Sequence, residues 1–289
     1  MTARRGVILV AIVALLGGLS VVAALAAMAG QVSLRGSLAD HEQARLRLAL
    51  ESAAARAAVG LTLEDDAARW VPDGRAYTVR IDDVDVTVRV IAETGRFDLN
   101  QGDPGVLQAL LVRLGVEFRQ ASRVAQGLQA WRTPSLDTVA RFDPAYAAAG
   151  LAQPGRRPLL APEEFRRIIG VDGALYEAAR PYLTVIGAPA PEPAFAPPEL
   201  LLALDLPVSR TRQILAARRG GGGLASQGET PVTGGQVAVF AEARAPSGAA
   251  MAREIGLALM GANGEFQITW RRPMKLGEAG GVLEADADL

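Results

Sequence analysis

The first thirty residues constrain this chain more than any other stretch. Arg4, Arg5 and Gly6 are followed by Val-Ile-Leu-Val-Ala-Ile-Val-Ala-Leu-Leu, then by Gly17-Gly18 and a second apolar run to Gly30. No charged residue falls between Val7 and Gly30, and the first acidic residue is Asp40. As a helix this stretch measures about 36 Å at ~1.5 Å per residue, enough to cross a hydrocarbon core of about 30 Å. With Arg4 and Arg5 ahead of it, the positive-inside rule leaves the N-terminus in the cytoplasm and the rest outside.

Three readings compete for the segment. A cleavable secretory signal has the small-x-small pattern it needs in Ala27-Met28-Ala29. A signal anchor is the second. The third is a pilin-type leader, cut after Gly6 so that Val7 becomes the first mature residue and the apolar helix stays attached. The run is longer than an ordinary signal core, and amphipathic helix follows it. Ala44, Leu48 and Ala55, with Leu46, Leu50, Ala53, Ala54, Ala57 and Ala58 alongside, recur at three- and four-residue steps among Arg and Glu. No Gly or Pro occurs between Ser37 and Val59, and Gly60 ends the pattern. A membrane helix running into an amphipathic stem favours the third reading.

Beyond the anchor and stem about 230 of the 289 residues remain, enough for one large or two small domains. The formal net charge is −1, which gives no electrostatic case for nucleic acid or acidic lipid. The chain has no cysteine, so disulfides and thiolate metal sites are excluded.

Leu61 to Gly74 is polar and turn-rich, the pattern of a solvated loop or short helix. Ala76–Ile81 and Val84–Ile91 alternate and are β-branched, with Asp82-Asp83 as the turn of a hairpin. From Pro104 to about Arg219 the pattern is helical, broken by Gly and Pro. Three units share an outline: Leu107 to Gln129 around Leu114-Gly115-Val116, Pro162 to Tyr182 around Ile169-Gly170-Val171, and Pro198 to Arg218 around Leu204-Asp205-Leu206. Each reads as helix, tight turn, helix, a weak repeat of the helix-hairpin-helix kind. Gly220 to Gly235 is a flexible connector. Strand character returns at Gln236–Arg244, Met251–Met260 and Glu265–Arg271, with Gly261–Gly264 as a turn. The tail from Leu276 is Gly-rich, acidic and expected to be disordered.

Candidate chemistry is thin. His41 is the only histidine and belongs to the stem, so His-based triads and metal sites are absent from the head. Asp82, Asp83 and Asp85 crowd one turn, but no Asp-x-Asp-x-Asp-Gly calcium loop is present, and Asp is a turn former in its own right. Arg218-Arg219-Gly220 to Gly223 follows a helix and lacks Gly-Lys-Ser/Thr, so it is a linker rather than a phosphate loop. The helical units carry acids at their turns, Glu117, Asp172 and Asp205. A carboxylate there repels a phosphate and forfeits counterion release, so the units are expected to pack on each other or on a protein.

Several runs, taken in order, resemble the minor pseudopilin K of type II secretion systems. They are Arg5-Gly6-Val7-Ile-Leu-Val, Glu93-Thr-Gly-Arg-Phe-Asp-Leu-Asn100, Pro162 to Tyr176 with Pro181-Tyr-Leu-Thr-Val, and Pro197-Pro-Glu-Leu-Leu-Leu-Ala-Leu with Gln213-Ile-Leu-Ala-Ala-Arg. The resemblance implies an α+β fold in which a transmembrane helix continues as an amphipathic stem packed on an antiparallel sheet, with a large all-α domain inserted in the sheet. The boundaries are a leader over 1–6, a membrane helix over 7–30 and a stem over 31–60. The head takes 61–103 and 224–275, the helical insertion 104–223, and the tail 276–289. It further implies a non-enzymatic subunit at the tip of a periplasmic pseudopilus, anchored in the inner membrane. Its partners would be minor pseudopilins I and J and the prepilin peptidase.

Some members of that family bind calcium. This chain has Leu128-Gln-Ala-Trp-Arg-Thr-Pro134 and Phe195-Ala-Pro197 where they have acidic and amide groups, so no metal or other cofactor is assigned. Ala11, the fifth mature residue, stands where most pilins have a Glu that neutralises the N-terminal amine of the subunit above. An unpaired charge there is costly, and a cap needs no such partner. Two alternatives remain, a membrane-anchored helix-hairpin-helix DNA receptor and a minor pilin of a type IV pilus. Turn charge discriminates against the first, and neighbouring genes decide the second.

Overall fold

The computed structural model describes Gly17, Ser20 and residues 38–65, 68–132, 135–219, 235–261, 264–278 and 280. Gly6, Val7 and Ala11 lie outside these residues, as does the expected membrane span 7–30 apart from Gly17 and Ser20, which are helical. Among the described residues no helix is long and apolar enough to cross a membrane. The chain divides into two compact units, Met1–Leu48 and Ala49–Leu289. In the first, residues 38–48 are helical; in the second, residues 49–61 are helical and are called α1.

Five antiparallel strands build the sheet of the second unit. In spatial order they are β1 (Asp73–Ile81), β2 (Val84–Ala92), β5 (Gln236–Arg244), β6 (Ala250–Leu259) and β7 (Phe266–Met274). The β1–β2 hairpin turns at Asp82-Asp83, with Asp82 left-handed at φ 52°, a conformation Asp tolerates better than most residues. β2 and β5 adjoin across the whole helical region, which therefore leaves the sheet after β2 and returns at β5.

Register explains the two faces. Val86, Val88 and Val90 oppose Ala243, Ala241 and Val239, and Val239 opposes Ile255 on β6. All are buried. Arg271 of β7 opposes Ile255 and so shares this face, where its Nε donates to Glu51 of α1 at 2.9 Å. The covering layer is thus α1, through Leu50, Ala53, Ala54, Ala57, Ala58 and Leu61, every one fully buried. Four alanines let the helix backbone approach the valines of the sheet closely, which a leucine row would prevent.

Gly60, expected to end the stem, stands one residue before the end of the helix. A Cβ there would meet the Trp70 ring at 2.7 Å. Trp70 donates its amide to the Gly60 carbonyl at 2.9 Å and stacks on Tyr77 with ring centroids 4.0 Å apart. The stretch expected to be a solvated loop is therefore partly fixed, and β1 starts at Asp73 rather than Ala76. Arg75 clamps the Asp73 carboxylate at 2.6 Å.

The helical block holds α2 (Pro104–Arg113), α3 (Phe118–Arg132), α4 (Leu136–Ala148), α5 (Gly173–Ala179), α6 (Pro198–Ala203) and α7 (Val208–Arg219). The three repeated units are present: α2–α3, a 3-10 turn at Pro162–Arg167 with α5, and α6–α7. The block is not purely helical. Leu183–Thr184 (β4) pairs in parallel with Phe97–Asp98 (β3), just after the sheet. Its core runs without a break from Phe97 and Leu99 to Leu200 and Ile214, and it belongs to the same compact unit as the sheet. It is a mixed block set within the sheet's connection from β2 to β5, whereas the sequence suggested an all-α domain inserted there.

The close helix-to-sheet approach yields a prediction. Ala57→Leu adds volume where there is no space, and overpacking costs about 1–3 kcal/mol. Ser52→Leu on the exposed side of the same helix should stay within about 0.5 kcal/mol of wild type. Chemical denaturation of the two variants checks this, and equal midpoints would contradict the packing described.

Candidate functional site

The run Glu93 to Asn100 sits where the sheet gives way to the helical block, and nearly every side chain in it has a structural task. Glu93 opens a 3-10 turn at the end of β2. Thr94 bonds Glu192 twice, its carbonyl accepting from the Glu192 amide at 2.8 Å and its hydroxyl donating to the carboxylate at 3.1 Å. Gly95 passes against the backbone of Phe195, which any Cβ would meet at 2.5 Å. Asp98, fully buried, accepts from the amides of Asn100 and Gln101 through one oxygen and of Gly187 through the other. Asn100 spans to Leu159 in both directions, at 2.7 and 3.0 Å. These bonds thread distant loops onto one short turn.

Arg96 is the centre of the joint. It is 1% exposed, and its Nε and Nη2 donate to the carbonyls of Pro181 and Arg180 at 3.0 and 3.1 Å. Nη1 donates to Glu93 at 3.0 Å. Nη2 also lies 3.2 Å from Oε1 of Glu254, a charge contact without hydrogen-bond alignment. Glu254, on the β6 face away from α1, is fully buried and takes Arg180 Nη1 on its other oxygen at 3.0 Å. Arg180 then reaches Glu278 beyond β7.

The chain of charges Glu93–Arg96–Glu254–Arg180–Glu278 therefore crosses from sheet to helices and back. Burial opposes the charge on Arg96, yet Glu93 and Glu254 outweigh it and its pKa stays above the ordinary value. Arg180 is likewise held above its ordinary value, with Glu254 and Glu278 offsetting its burial. Arg272 of β7 adds a rim pair to Glu163 at 2.7 Å and lies over the Trp270 ring.

The acids at the helical turns have a local explanation. Glu117 accepts from the Gln120 amide at 3.1 Å, capping α3. Asp172 accepts from the Leu175 amide at 2.7 Å, capping α5. The free amides that open these helices are thus met by the chain's own carboxylates. Asp205 is exposed at the third turn. The units pack on one another: Gln120 donates to the Gly170 carbonyl at 2.9 Å, and Tyr146 of α4 accepts from the Ile169 amide at 3.0 Å.

Other sequence candidates stay apart. His41 is exposed on the helical stretch of the first unit, and Asp82, Asp83 and Asp85 remain a hairpin turn, with Asp85 3.6 Å from Arg80. Among the described residues no three His, Asp or Glu side chains converge to hold a metal. The leader residues Gly6 and Val7, and Ala11, fall outside them. Sequence reasoning missed Glu254 and Arg180 altogether. The available signal was an acid between Ala252 and Gly256 in a strand, at a position whose alternation puts it on a covered face. The tail also begins differently from the disorder expected: Gly277 donates to Glu242 at 2.8 Å and Glu278 joins the joint.

Removing Glu254 leaves two buried guanidinium groups short of charge. Glu254→Ala should cost about 3–5 kcal/mol, the range for breaking a buried ion pair. Arg271→Ala, which removes the partly exposed pair to Glu51, should cost at most about 1 kcal/mol. Urea unfolding of both variants tests the contrast, and similar losses would argue against a central role for the joint.

Residues 91–190 match the family model for type II secretion system (T2SS), protein K. This stretch contains Glu93, Arg96 and Arg180 of the joint and the first two helical units. Comparison with curated proteins gives no match. Among solved structures, the fold is similar to one chain of the GspK–GspI–GspJ complex from the enterotoxigenic Escherichia coli type 2 secretion system. The TM-score is 0.55 at 16% identity, covering 83% of this chain and 99% of that one. The family match falls on Glu93, Arg96 and Arg180, which join sheet to helices, and the fold match extends over both, so over residues 91–190 the chain is similar to the type II secretion system protein K family.

Proposed function

We propose that this chain is a non-enzymatic minor pseudopilin that works at the tip of a type II secretion pseudopilus, in protein secretion across the outer membrane. The observation that carries the reading is the family match over 91–190, because it covers the Glu93–Asn100 turn, Arg180 and two of the helical units. In this reading residues 7–30 are a single inner-membrane helix with the N-terminus cytoplasmic. The head is periplasmic, and the helical block is its family-specific insertion. Prepilin peptidase cuts between Gly6 and Val7. Minor pseudopilins I and J are the partners, supported by a fold neighbour that was solved in a GspK–GspI–GspJ complex. The DNA-receptor alternative is disfavoured by the capped turns at Glu117 and Asp172.

N-terminal sequencing of the membrane-extracted protein tests the leader directly. A start at Val7 is expected, and a start at Gly30 would replace the pilin reading with a secretory signal. Ala11→Glu tests the tip position. At a helix centre an acid costs about 2–3 kcal/mol on insertion, less near the cytoplasmic end where Ala11 lies. With no subunit above, that cost is not recovered. Secretion should be unchanged or mildly reduced, with pseudopilus length the same. Longer filaments carrying this subunit along their length would rule out a cap.

A further inference from the structure

The helical block carries a groove away from the joint. Phe118, Ser122 and Gln126 recur at four-residue steps on α3, beside Arg119 and Arg123. Across from them α4 presents Arg141 above Phe142, and the Ile169–Gly170 turn closes one end. The space between measures about 840 Å³, the scale of a binding cleft. Its lining combines exposed apolar surface with unopposed positive charge. Phe118 is 63% exposed and Leu151 39% exposed, against a covered floor at Phe142 and Ile169.

Several arginines of this block face a carboxylate. Arg113 has Glu199, Arg156 has Asp143, Arg157 has Glu164 and Arg166 has Glu177. Arg119, Arg123 and Arg141 are exposed and have no carboxylate within ion-pair distance among the described residues. Three guanidinium forks around an apolar slot suit one kind of occupant. Carboxylates satisfy the forks with paired hydrogen bonds, and a bulky apolar side chain covers the phenylalanine.

We propose that this groove docks an acidic, amphipathic segment of a partner protein. Its carboxylates engage Arg119, Arg123 and Arg141, and an apolar residue lies against Phe118 and Leu151. Duplex DNA fits the same arginines less well. The apolar floor offers a phosphate backbone nothing, and Glu117 stands at the end of α3 where a phosphate would approach, already occupying the Gln120 amide. The proposal is independent of where in a pseudopilus the chain sits.

The test uses the full chain in a non-ionic detergent and a fluorescent helical peptide of about 18 residues, Glu on one face and Leu and Phe on the other. Versions with Gln or Lys in place of Glu serve as controls, with a short DNA duplex as a fourth probe. The Glu peptide should bind at least roughly tenfold more tightly than the Lys peptide, with the advantage shrinking as salt rises. The triple variant Arg119→Glu, Arg123→Glu, Arg141→Glu should abolish that preference, and Phe118→Ala should weaken binding several-fold. All three arginines are exposed, so the fold should persist, which circular dichroism verifies. Arg212→Glu, exposed on α7, should change nothing. Equal binding of the Glu and Lys peptides, or an unaffected triple variant, would overturn the proposal. Tighter binding of DNA than of the Glu peptide would assign the arginines to nucleic acid instead.

Discussion

A single buried carboxylate holds this architecture together. Glu254 projects from the face of β6 that α1 does not cover, into a site with no access to water. An isolated charge in such a place would cost several kcal/mol. It is tolerable because Arg96 and Arg180 arrive from the helical side, each also bonded to further groups. The requirement is reciprocal, since the guanidinium groups would be as costly without Glu254. Sheet and helical block therefore cannot separate without exposing or stranding charge, which fits their behaviour as one compact unit.

From this constraint the division of the sheet into two working faces follows. One face is apolar, with valines and alanines matched to the alanine row of α1, and needs only close packing. The other carries Arg89, Glu254 and Arg272 among Ile91, Phe240 and Trp270, and receives the loops of the helical block. A non-directional contact suits a helix that fixes only distance. A directional, charged contact suits a block whose orientation matters for what it presents. Loss of the carboxylate would affect orientation as well as stability, because hydrogen-bond geometry sets the angle.

Much of this was legible in the sequence, and the residues show why. The hairpin at Asp82-Asp83 and the strand Gln236–Arg244 followed from period-two alternation, and β5 has the bounds expected. Two of the three helix-turn-helix units followed from the glycines at their turns: Gly115 and Gly170 have φ near +87° and +88°, where other residues are strained. The joint was not legible. Glu93, Arg96, Arg180, Glu254 and Glu278 span most of the chain, and no local pattern links them. Glu93 to Asn100 stood out only by resemblance, and its bonds to Leu159, Pro181, Gly187 and Glu192 gave the reason. Gly60 stands one residue before the end of the helix, and its missing side chain also serves close approach, here to Trp70. The acids at Glu117 and Asp172, taken from sequence as a bar to phosphate, proved to be helix caps, which explains their presence without reference to any ligand.

In the proposed role of an assembly subunit, the chemistry of this chain lies in what it packs against. Sedimentation of the membrane-extracted chain mixed with the heads of minor pseudopilins I and J tests that claim most directly. The expected result is one faster-sedimenting species that contains all three proteins and persists as salt is raised. A chain that sediments alone beside both partners while its circular dichroism remains that of a folded protein would contradict the account.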